Sequence, residues 1–498
     1  MKSLKYILMT LATGGLLTMS TSCSDFLETN PSTSVSDQDV FVSVSGAQAA
    51  LNGCYFQMRA YSGGGANRQD DWGIPSLQMI NDVMADDIIV WGGWYVYTYN
   101  YWGETRGDIF RASQLWTYHY RLINNVNSIL AYIDDCQGDQ TEKNHIKGQA
   151  LAMRGWAYFN LARYFQHTYA IAKDMPGVPI YTDPTTDQTE GKGRGTVADT
   201  YRQVLADLTE AETLLEGYNR GSLKNNFNQA VVQGVLSDVY LTMNDWSNAE
   251  TYAKKVMNQY PLTSNNDYLA GFNNINTASW IWGMEQTEEQ NMGDYSPYAM
   301  WYIGTGDRGY GYWSFNCFFP ANSFIEKFDT DDIRASQFNM ETAPGWNNIY
   351  YTLKFRDNED GRGSIVIMRT ESMLLNAAEA LCRQGKSDDA KALLWQLQDM
   401  RGATRSVSTG QELLEEIWLE RRKELYGEGY GLFDMLRNQK PLLRGSNHWI
   451  GGGDTPFPAN SWRFIFQIPR GELLNNKNLV DDIWPAGDQN PYDGVYQP

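Results

Sequence analysis

Two stretches of this chain are built on one ruler: LSDVYLTMNDWSNAETYAKKVMNQYP (236–261) and AAEALCRQGKSDDAKALLWQLQDMRG (377–402). In the first, Leu236, Ser237 and Tyr240 are followed by Ala249, Ala253, Val256 and Pro261. In the second, Ala377, Ala378 and Leu381 are followed by Ala390, Leu394, Leu397 and Gly402, at identical offsets. Such a pattern describes two antiparallel helices with small residues where they cross. Two units of this kind do not make a stable superhelix alone, because each buries its apolar face only against a neighbour. They must dock on other helices of the chain, which predicts a helical body.

The offsets match the 34-residue tetratricopeptide period. The supporting helices are legible upstream, within about 105–260. In LWTYHYRLINNVNSILAYI (115–133), Leu115, Tyr118, Leu122, Val126, Ile129 and Ile133 recur every three or four residues. GQALAMRGWAYFNLARYF (148–165) repeats the habit and is stopped by PGVPI. A further helix is expected to start at Thr196, an N-cap with Asp199 three residues on as an acidic capping box. Helical units are expected again within 367–438. Between about 262 and 365 the texture turns rich in Gly, Asn and aromatics, and 440–498 is likewise loop-rich. The expected class is mostly α: a tetratricopeptide-like scaffold with long irregular insertions, where binding usually resides.

At 498 residues, 42% hydrophobic and 20% charged, the chain has the composition of a folded protein. Its formal charge of −19 excludes a nucleic-acid partner, since no basic stripe offsets the repulsion from phosphates. The first 22 residues read as a secretory signal: Lys2 and Lys5, then the apolar ILMTLATGGLLTM, then Ser20, Thr21 and Ser22. Cys23 follows directly, the pattern of a bacterial lipoprotein whose cysteine is acylated, so that lipid holds the protein on a membrane without spanning it. Cleavage would leave 38 basic against 59 acidic residues, a formal charge of −21. No later stretch approaches the roughly 20 apolar residues needed to cross a bilayer. Cys54, Cys136, Cys317 and Cys382 stand far apart and are expected to be free or buried thiols.

Enzymatic signatures are missing. His119, His145, His167 and His448 form no H-E-x-x-H, and there is no nucleophile elbow or phosphate loop. GTGDRG (304–309) fits G-x-G-x-x-G, but an aromatic run rather than a helix follows it, so it is read as a decoy. The doublets Asp70/Asp71, Asp86/Asp87 and Asp331/Asp332 are the material from which a glycosidase pair would be drawn. An acidic surface produces such doublets freely, and no D-x-D-x-D-G calcium loop is present. The chain is expected not to be an enzyme and to need no metal or cofactor.

Several segments together resemble the SusD/RagB family: CSDFLETNP (23–31), residues 148–165 with the following PGVPI, the two repeat units, ERRKELYGEGYGLFDMLR (420–437) and FIFQIPRGELLNNKNLV (464–480). They span essentially the whole mature chain. The chain departs from the family pattern at Gly431, where Arg is usual, and at the ending Asn476 to Asp481. The resemblance implies an outer-membrane, surface-exposed lipoprotein of helical-repeat scaffold. It would act as a lid on a SusC-like TonB-dependent transporter and capture nutrients, usually oligosaccharides and in some members peptides. Glu420, Arg421, Arg422 and Glu424 are expected to form a paired network between helices rather than a ligand site.

The candidate site is aromatic. WGGWYVYTYNYW (91–102) places seven rings in twelve positions without a charge. In an extended chain Tyr95, Tyr97, Tyr99 and Tyr101 would share one face, and Trp94, Val96, Thr98 and Trp102 the other. A face of phenols, each hydroxyl needing a partner if buried, argues for partial exposure. Rigid amphipathic rings suit the C–H face of a sugar, because a side chain with two torsions loses little entropy on contact. The nominated ligand contacts are Trp91, Trp94, Tyr97, Tyr99 and Trp102, together with Trp301, Tyr310 and Trp313 from the 301–313 stretch. Arg68 and Arg308, set in Gly-rich surroundings, are the candidate hydrogen-bond donors. Trp116, Trp156, Trp280 and Trp282 are assigned to the core. An oligopeptide is the alternative ligand, and a transporter interface is the alternative use of an exposed aromatic patch.

Overall fold

A computed structural model describes residues 40–59, 69–101, 110–288, 318–343, 346–356, 363–445, 447–448 and 457–479. The described helices used below are α1 (Val44–Arg59), α2 (Gly73–Val83), α3 (Val96–Asn100), α4 (Phe110–Tyr132), α5 (Gln140–Phe165), α6 (Val197–Leu214), α7 (Gln229–Thr242), α8 (Trp246–Met257), α9 (Thr370–Arg383), α10 (Ser387–Arg401), α11 (Gly410–Glu424) and α12 (Gly431–Arg437). The fold is mostly helical. Three two-stranded antiparallel ribbons accompany the helices: β1 (Ile88–Val90) with β3 (Phe318–Pro320), β2 (Trp280–Met284) with β6 (Ile365–Arg369), and β4 (Phe338–Ala343) with β5 (Trp346–Thr352). The stretch read as irregular, 262–365, thus contains short strands, and β2 and β3 carry a dense buried apolar set.

The repeat ruler corresponds to the helix pairs α7–α8 and α9–α10. Ala249, Ala253, Ala377, Ala378 and Ala390 are buried where the helices cross. Ser237 Oγ donates to the Ala249 carbonyl at 3.0 Å, closing the first pair. Asn376 Nδ2 donates to Ser237 Oγ at 3.1 Å and to Asp238 Oδ1 at 2.8 Å, so the two pairs dock on each other. Upstream, α5 and α6 pack closely because Gly155 has no side chain: a Cβ there would stand 2.9 Å from Leu208 Cγ. The six periodic residues of α4 and the residue after it, from Leu115 to Ile133, are all buried. Thr196 and Asp199 form the reciprocal capping box of α6, with the Asp199 amide donating to Thr196 Oγ1 and the Thr196 amide to Asp199 Oδ2. Trp116, Trp156, Trp280 and Trp282 are core residues.

The 420–437 motif builds a buried ionic network. Arg369 bridges Glu371 and Glu424 at 2.8 Å each and donates to Glu428 at 2.8 Å. Arg401 joins Glu424 at 2.8 Å, Arg334 joins Asp332 and Glu420 at 2.7 Å each, and Lys354 joins Glu428 at 2.6 Å. With Lys423 on Glu420, five cations meet five carboxylates, so the cluster is neutral overall. Neutrality and dense hydrogen bonding are what allow such a cluster to leave water. Glu371 Oε2, though 2.8 Å from Arg369, is the one carboxylate oxygen of the cluster left without a hydrogen bond among the described residues. Burial would push the Glu424 carboxyl up, but Arg401 and Arg369 outweigh it and hold it well below the usual range. The network ties residues 332–354 of the insertion to α10 and α11, the structural role expected of Glu420 and Glu424.

Gly431, the departure from the family pattern, has a local reason. A Cβ there would lie 2.8 Å from Ala85 Cβ, while its amide donates to Asp82 Oδ1 at 2.9 Å. Cys54, Cys136 and Cys382 are buried free thiols, and burial pushes Cys54 up to about 12. Cys317, Cys23 and the expected signal lie outside the described residues. Among the described residues, no helix is long and apolar enough to cross a membrane.

Candidate functional site

The aromatic stretch begins where β1 ends. Ile88, Ile89 and Val90 are buried and pair with Pro320, Phe319 and Phe318. Because the ribbon is antiparallel, the chain leaves β1 at the same end at which it enters β3, five residues after Trp313. The ribbon therefore ties the start of the aromatic stretch to Phe318.

The extended reading of this stretch is corrected. After Gly92 and Gly93, the latter at φ 73°, the chain turns into the one-turn helix α3, which Tyr101 ends in the left-handed region at φ 55°. Over so short a run, period two and period 3.6 cannot be told apart: Tyr95 and Tyr99, two alternations apart, are also four apart and share a helix face. The four tyrosines accordingly divide. Tyr95, Tyr99 and Tyr101 are 1%, 0% and 7% exposed, whereas Trp91, Trp94 and Tyr97 are 38%, 42% and 47% exposed. Tyr99, nominated as a ligand contact, is part of the base.

That base satisfies the buried phenols from distant parts of the chain. The Tyr101 hydroxyl donates to the Met84 carbonyl at 2.6 Å, and its ring meets Phe457 edge-on at 5.2 Å. Tyr95 packs edge-on against Phe318 at 5.3 Å. The Tyr99 hydroxyl lies 2.7 Å from His448 Nδ1, and His448 Nε2 lies 3.0 Å from the Asp86 carbonyl. A carbonyl only accepts, so Nε2 carries the proton and Nδ1 accepts from the phenol. Burial, with Arg444 nearby, lowers His448 to about 4 and keeps the ring neutral. Arg444 donates to the carbonyls of Val83 at 2.7 Å and of Tyr99, and its guanidinium stacks 4.0 Å from the Tyr99 ring. On the other side of α3, Arg111 donates to Thr98 Oγ1 at 3.1 Å and pairs with Asp70 at 2.6 Å.

The result is a platform: three outward rings on a base in which the Tyr99 and Tyr101 hydroxyls are satisfied, while the buried Asn100 side chain has no hydrogen-bond partner among the described residues. Its histidine is neutral, and burial raises the Tyr99 phenol to about 12. It offers ring faces for contact, not a proton-transfer pair. The acidic doublets are likewise used in structure. Asp70 holds Arg111 and Asp71 accepts from Gln114, Asp87 pairs with Arg422, and Asp332 belongs to the buried network. Among the described residues, no group of three or more His, Cys, Asp or Glu is placed to hold a metal.

Of the nominated contacts, the structure brings Trp91, Trp94 and Tyr97 together on one short segment. Trp102, Trp301, Tyr310, Trp313, Arg68 and Arg308 lie outside the described residues, as does GTGDRG. Sequence reasoning missed Arg444 and His448. They are separated from Tyr99 by 345 and 349 positions and no local pattern marks them.

The family model described as starch-binding associating with outer membrane matches residues 25–241. A SusD-like protein of Formosa agariphila is 24% identical over 483 residues, covering 84% of this chain and 89% of that protein. Among solved structures, a SusD-like carbohydrate-binding protein of Bacteroides vulgatus is 30% identical with a TM-score of 0.80, covering 88% of this chain and 98% of that one. A SusD-superfamily protein of Bacteroides thetaiotaomicron is 25% identical with a TM-score of 0.74, covering 88% and 99%.

Proposed function

The chain belongs to the SusD-like family, and from that premise we propose that it captures oligosaccharides at the cell surface and delivers them to a partner TonB-dependent outer-membrane transporter. The observation that carries the reading is the outward set Trp91, Trp94 and Tyr97 above a fully buried phenol base. Exposed rings on a rigid support bind sugar faces without first ordering themselves, which lowers the cost of binding. The family's description as starch-binding and the carbohydrate-binding relative support this ligand class. The description as outer-membrane-associated supports the location, and acylated Cys23 is the proposed anchor. The protein acts by binding, not by catalysis.

A site this open makes few enclosing contacts, so affinity is expected in the micromolar range or weaker, about −8 kcal/mol at most. Calorimetric titration of the purified protein against plant, host and microbial oligosaccharides, alongside a tryptic peptide pool, tests the reading. Heat from a sugar supports it, and heat from peptides alone replaces it with oligopeptide capture. If neither binds while Trp91→Ala with Trp94→Ala weakens assembly with the transporter, the rings are an interface.

A further inference from the structure

Pro441 and Leu443 line a cavity of about 440 Å³, while the next residue, Arg444, reaches back to Tyr99. The 441–445 loop therefore has the aromatic base on one side and a separate hollow on the other. Its volume falls in the range of small-molecule pockets, roughly 300–1,000 Å³. Its wall mixes aromatic and charged side chains from α11, the 425–431 turn and the segment joining α2 to β1.

The charges on that wall select the guest. Arg422 is taken by Asp87, Lys440 by Glu415 at 2.6 Å, and Arg421 by Asp434 at 2.5 Å. An anion would have to break one of these pairs. Asp82 is consumed by the amides of Gly429 at 2.7 Å and Gly431 at 2.9 Å. Asp86 accepts the Leu443 amide at 2.8 Å through Oδ1, and its Oδ2 has no hydrogen-bond partner among the described residues. A cation seeking Asp86 would face Arg422 and Lys440 on the same wall. A neutral, hydroxyl-bearing guest meets no such conflict: it donates to Asp86 and Asp87 and accepts from Arg422 and Lys440 without displacing an ion pair. The apolar wall, including Trp418 and Tyr430, suits the C–H face of a ring. The Trp418 Nε1–H also finds no acceptor among the described residues.

We propose that this cavity is a second sugar site, separate from the aromatic platform, holding one neutral pyranose ring through Asp86 and Arg422. The choice of a sugar among neutral polyols rests on the glycan reading above. The site takes a single ring because its volume, about 440 Å³, is that of a small-molecule pocket, whereas the platform accepts a chain laid across it.

The test is fluorine NMR on the full chain labelled with 5-fluorotryptophan, with the Trp418, Trp91 and Trp94 signals assigned by single substitution to Phe. The titrants are D-glucose, D-galactose, D-mannose and N-acetyl-D-glucosamine, taken to roughly 100 mM because a single ring with few contacts binds weakly. At least one sugar should move the Trp418 signal saturably. Asp86→Asn and Arg422→Gln should each weaken that response about tenfold, and the response should survive in Trp91→Ala with Trp94→Ala. A Trp418 signal that no sugar moves overturns the site; so does a response indifferent to both wall substitutions, or one lost with the platform rings. The Trp91 and Trp94 signals, read during oligosaccharide addition to the same sample, report separately on the platform. Should a wall variant fail to fold, titration of the unsubstituted chain still decides the matter.

Discussion

Arg444→Met is the substitution that most directly tests how the platform is held. Arg444 donates to the Val83 carbonyl at 2.7 Å and to the Tyr99 carbonyl, touches the Ala85 carbonyl at 3.5 Å, and stacks 4.0 Å from the Tyr99 ring. Methionine keeps most of the packing volume and removes every donor. Charge-assisted bonds contribute about 1.5–3 kcal/mol each, and the low end applies because Arg444 is half-buried. Two good bonds give about 3 kcal/mol, the 3.5 Å contact is counted as nothing, and the ring contact adds roughly 0.5–1 kcal/mol. A loss of about 3–4 kcal/mol lowers the docking equilibrium of the 95–101 segment by two to three powers of ten. Val83 ends α2 and Tyr99 lies in the single turn of α3, so the loss should be local. Hydrogen exchange is the assay: the amides of Tyr99 and Tyr101, bonded to Tyr95 and Thr98 carbonyls, should exchange about a hundredfold faster or more. Amides in α5, α7 and α9 should be unchanged. Unaltered exchange at Tyr99 and Tyr101, or a uniform rise across the protein, would refute the reasoning.

Three further outcomes are expected. Arg369→Met removes the cation shared by Glu371, Glu424 and Glu428 and leaves the buried cluster with one carboxylate in excess, so it should cost about 3–5 kcal/mol, seen by calorimetry as a lowered unfolding temperature. Gly429→Ala should destabilise by several kcal/mol, about 2–4, because φ is 89° and the new Cβ would stand 2.8 Å from Gln78 Cα; a urea melt measures it. His448 gives a pH signature. Its folded pKa of about 4 lies below the unfolded value, so between about 4 and 6.5 the unfolded chain binds more protons. The stability it confers is whole above about pH 6.5 and is lost as pH falls towards 4, by less than about 3 kcal/mol given the partial exposure of the ring. Proteolysis within 91–101 should therefore quicken between pH 7 and 4.5, and a His448→Gln variant should lose that pH dependence.

The helical scaffold was readable because its signal is local and repeated. Alanines at fixed offsets in α7–α8 and α9–α10, a 3.6-residue period through α4, and the Thr196–Asp199 cap each declare themselves within a few turns. The role of Glu420 and Glu424 was also readable, since alternating charges amid apolar residues favour mutual pairing over a ligand. The candidate site was legible only as composition. That rings cluster at 91–102 is plain, but which rings face out depends on a one-turn helix set by Gly92 and Gly93, too short for either period to prevail. What fixes it comes from far along the chain: Phe318 across the β1–β3 ribbon, and Arg444 and His448 from the loop after α12. Long-range pairing of this kind leaves no periodic trace in a single sequence. The expected partial exposure of the phenols rested on their need for partners, and the fold instead supplies partners to Tyr99 and Tyr101 from carbonyl and imidazole groups.

The central claim is that Trp91, Trp94 and Tyr97 form a sugar-binding surface on a rigid base. Its most direct test is the affinity of the best-binding oligosaccharide, measured by calorimetry for the unsubstituted protein and for the triple variant Trp91→Ala, Trp94→Ala, Tyr97→Ala. These rings are outward and carry little of the core, so the thermal midpoint should hardly move. Loss of stacking worth about 1.4 kcal/mol or more should weaken binding at least tenfold. Undiminished affinity in a folded triple variant would contradict the account and place the sugar elsewhere on the molecule.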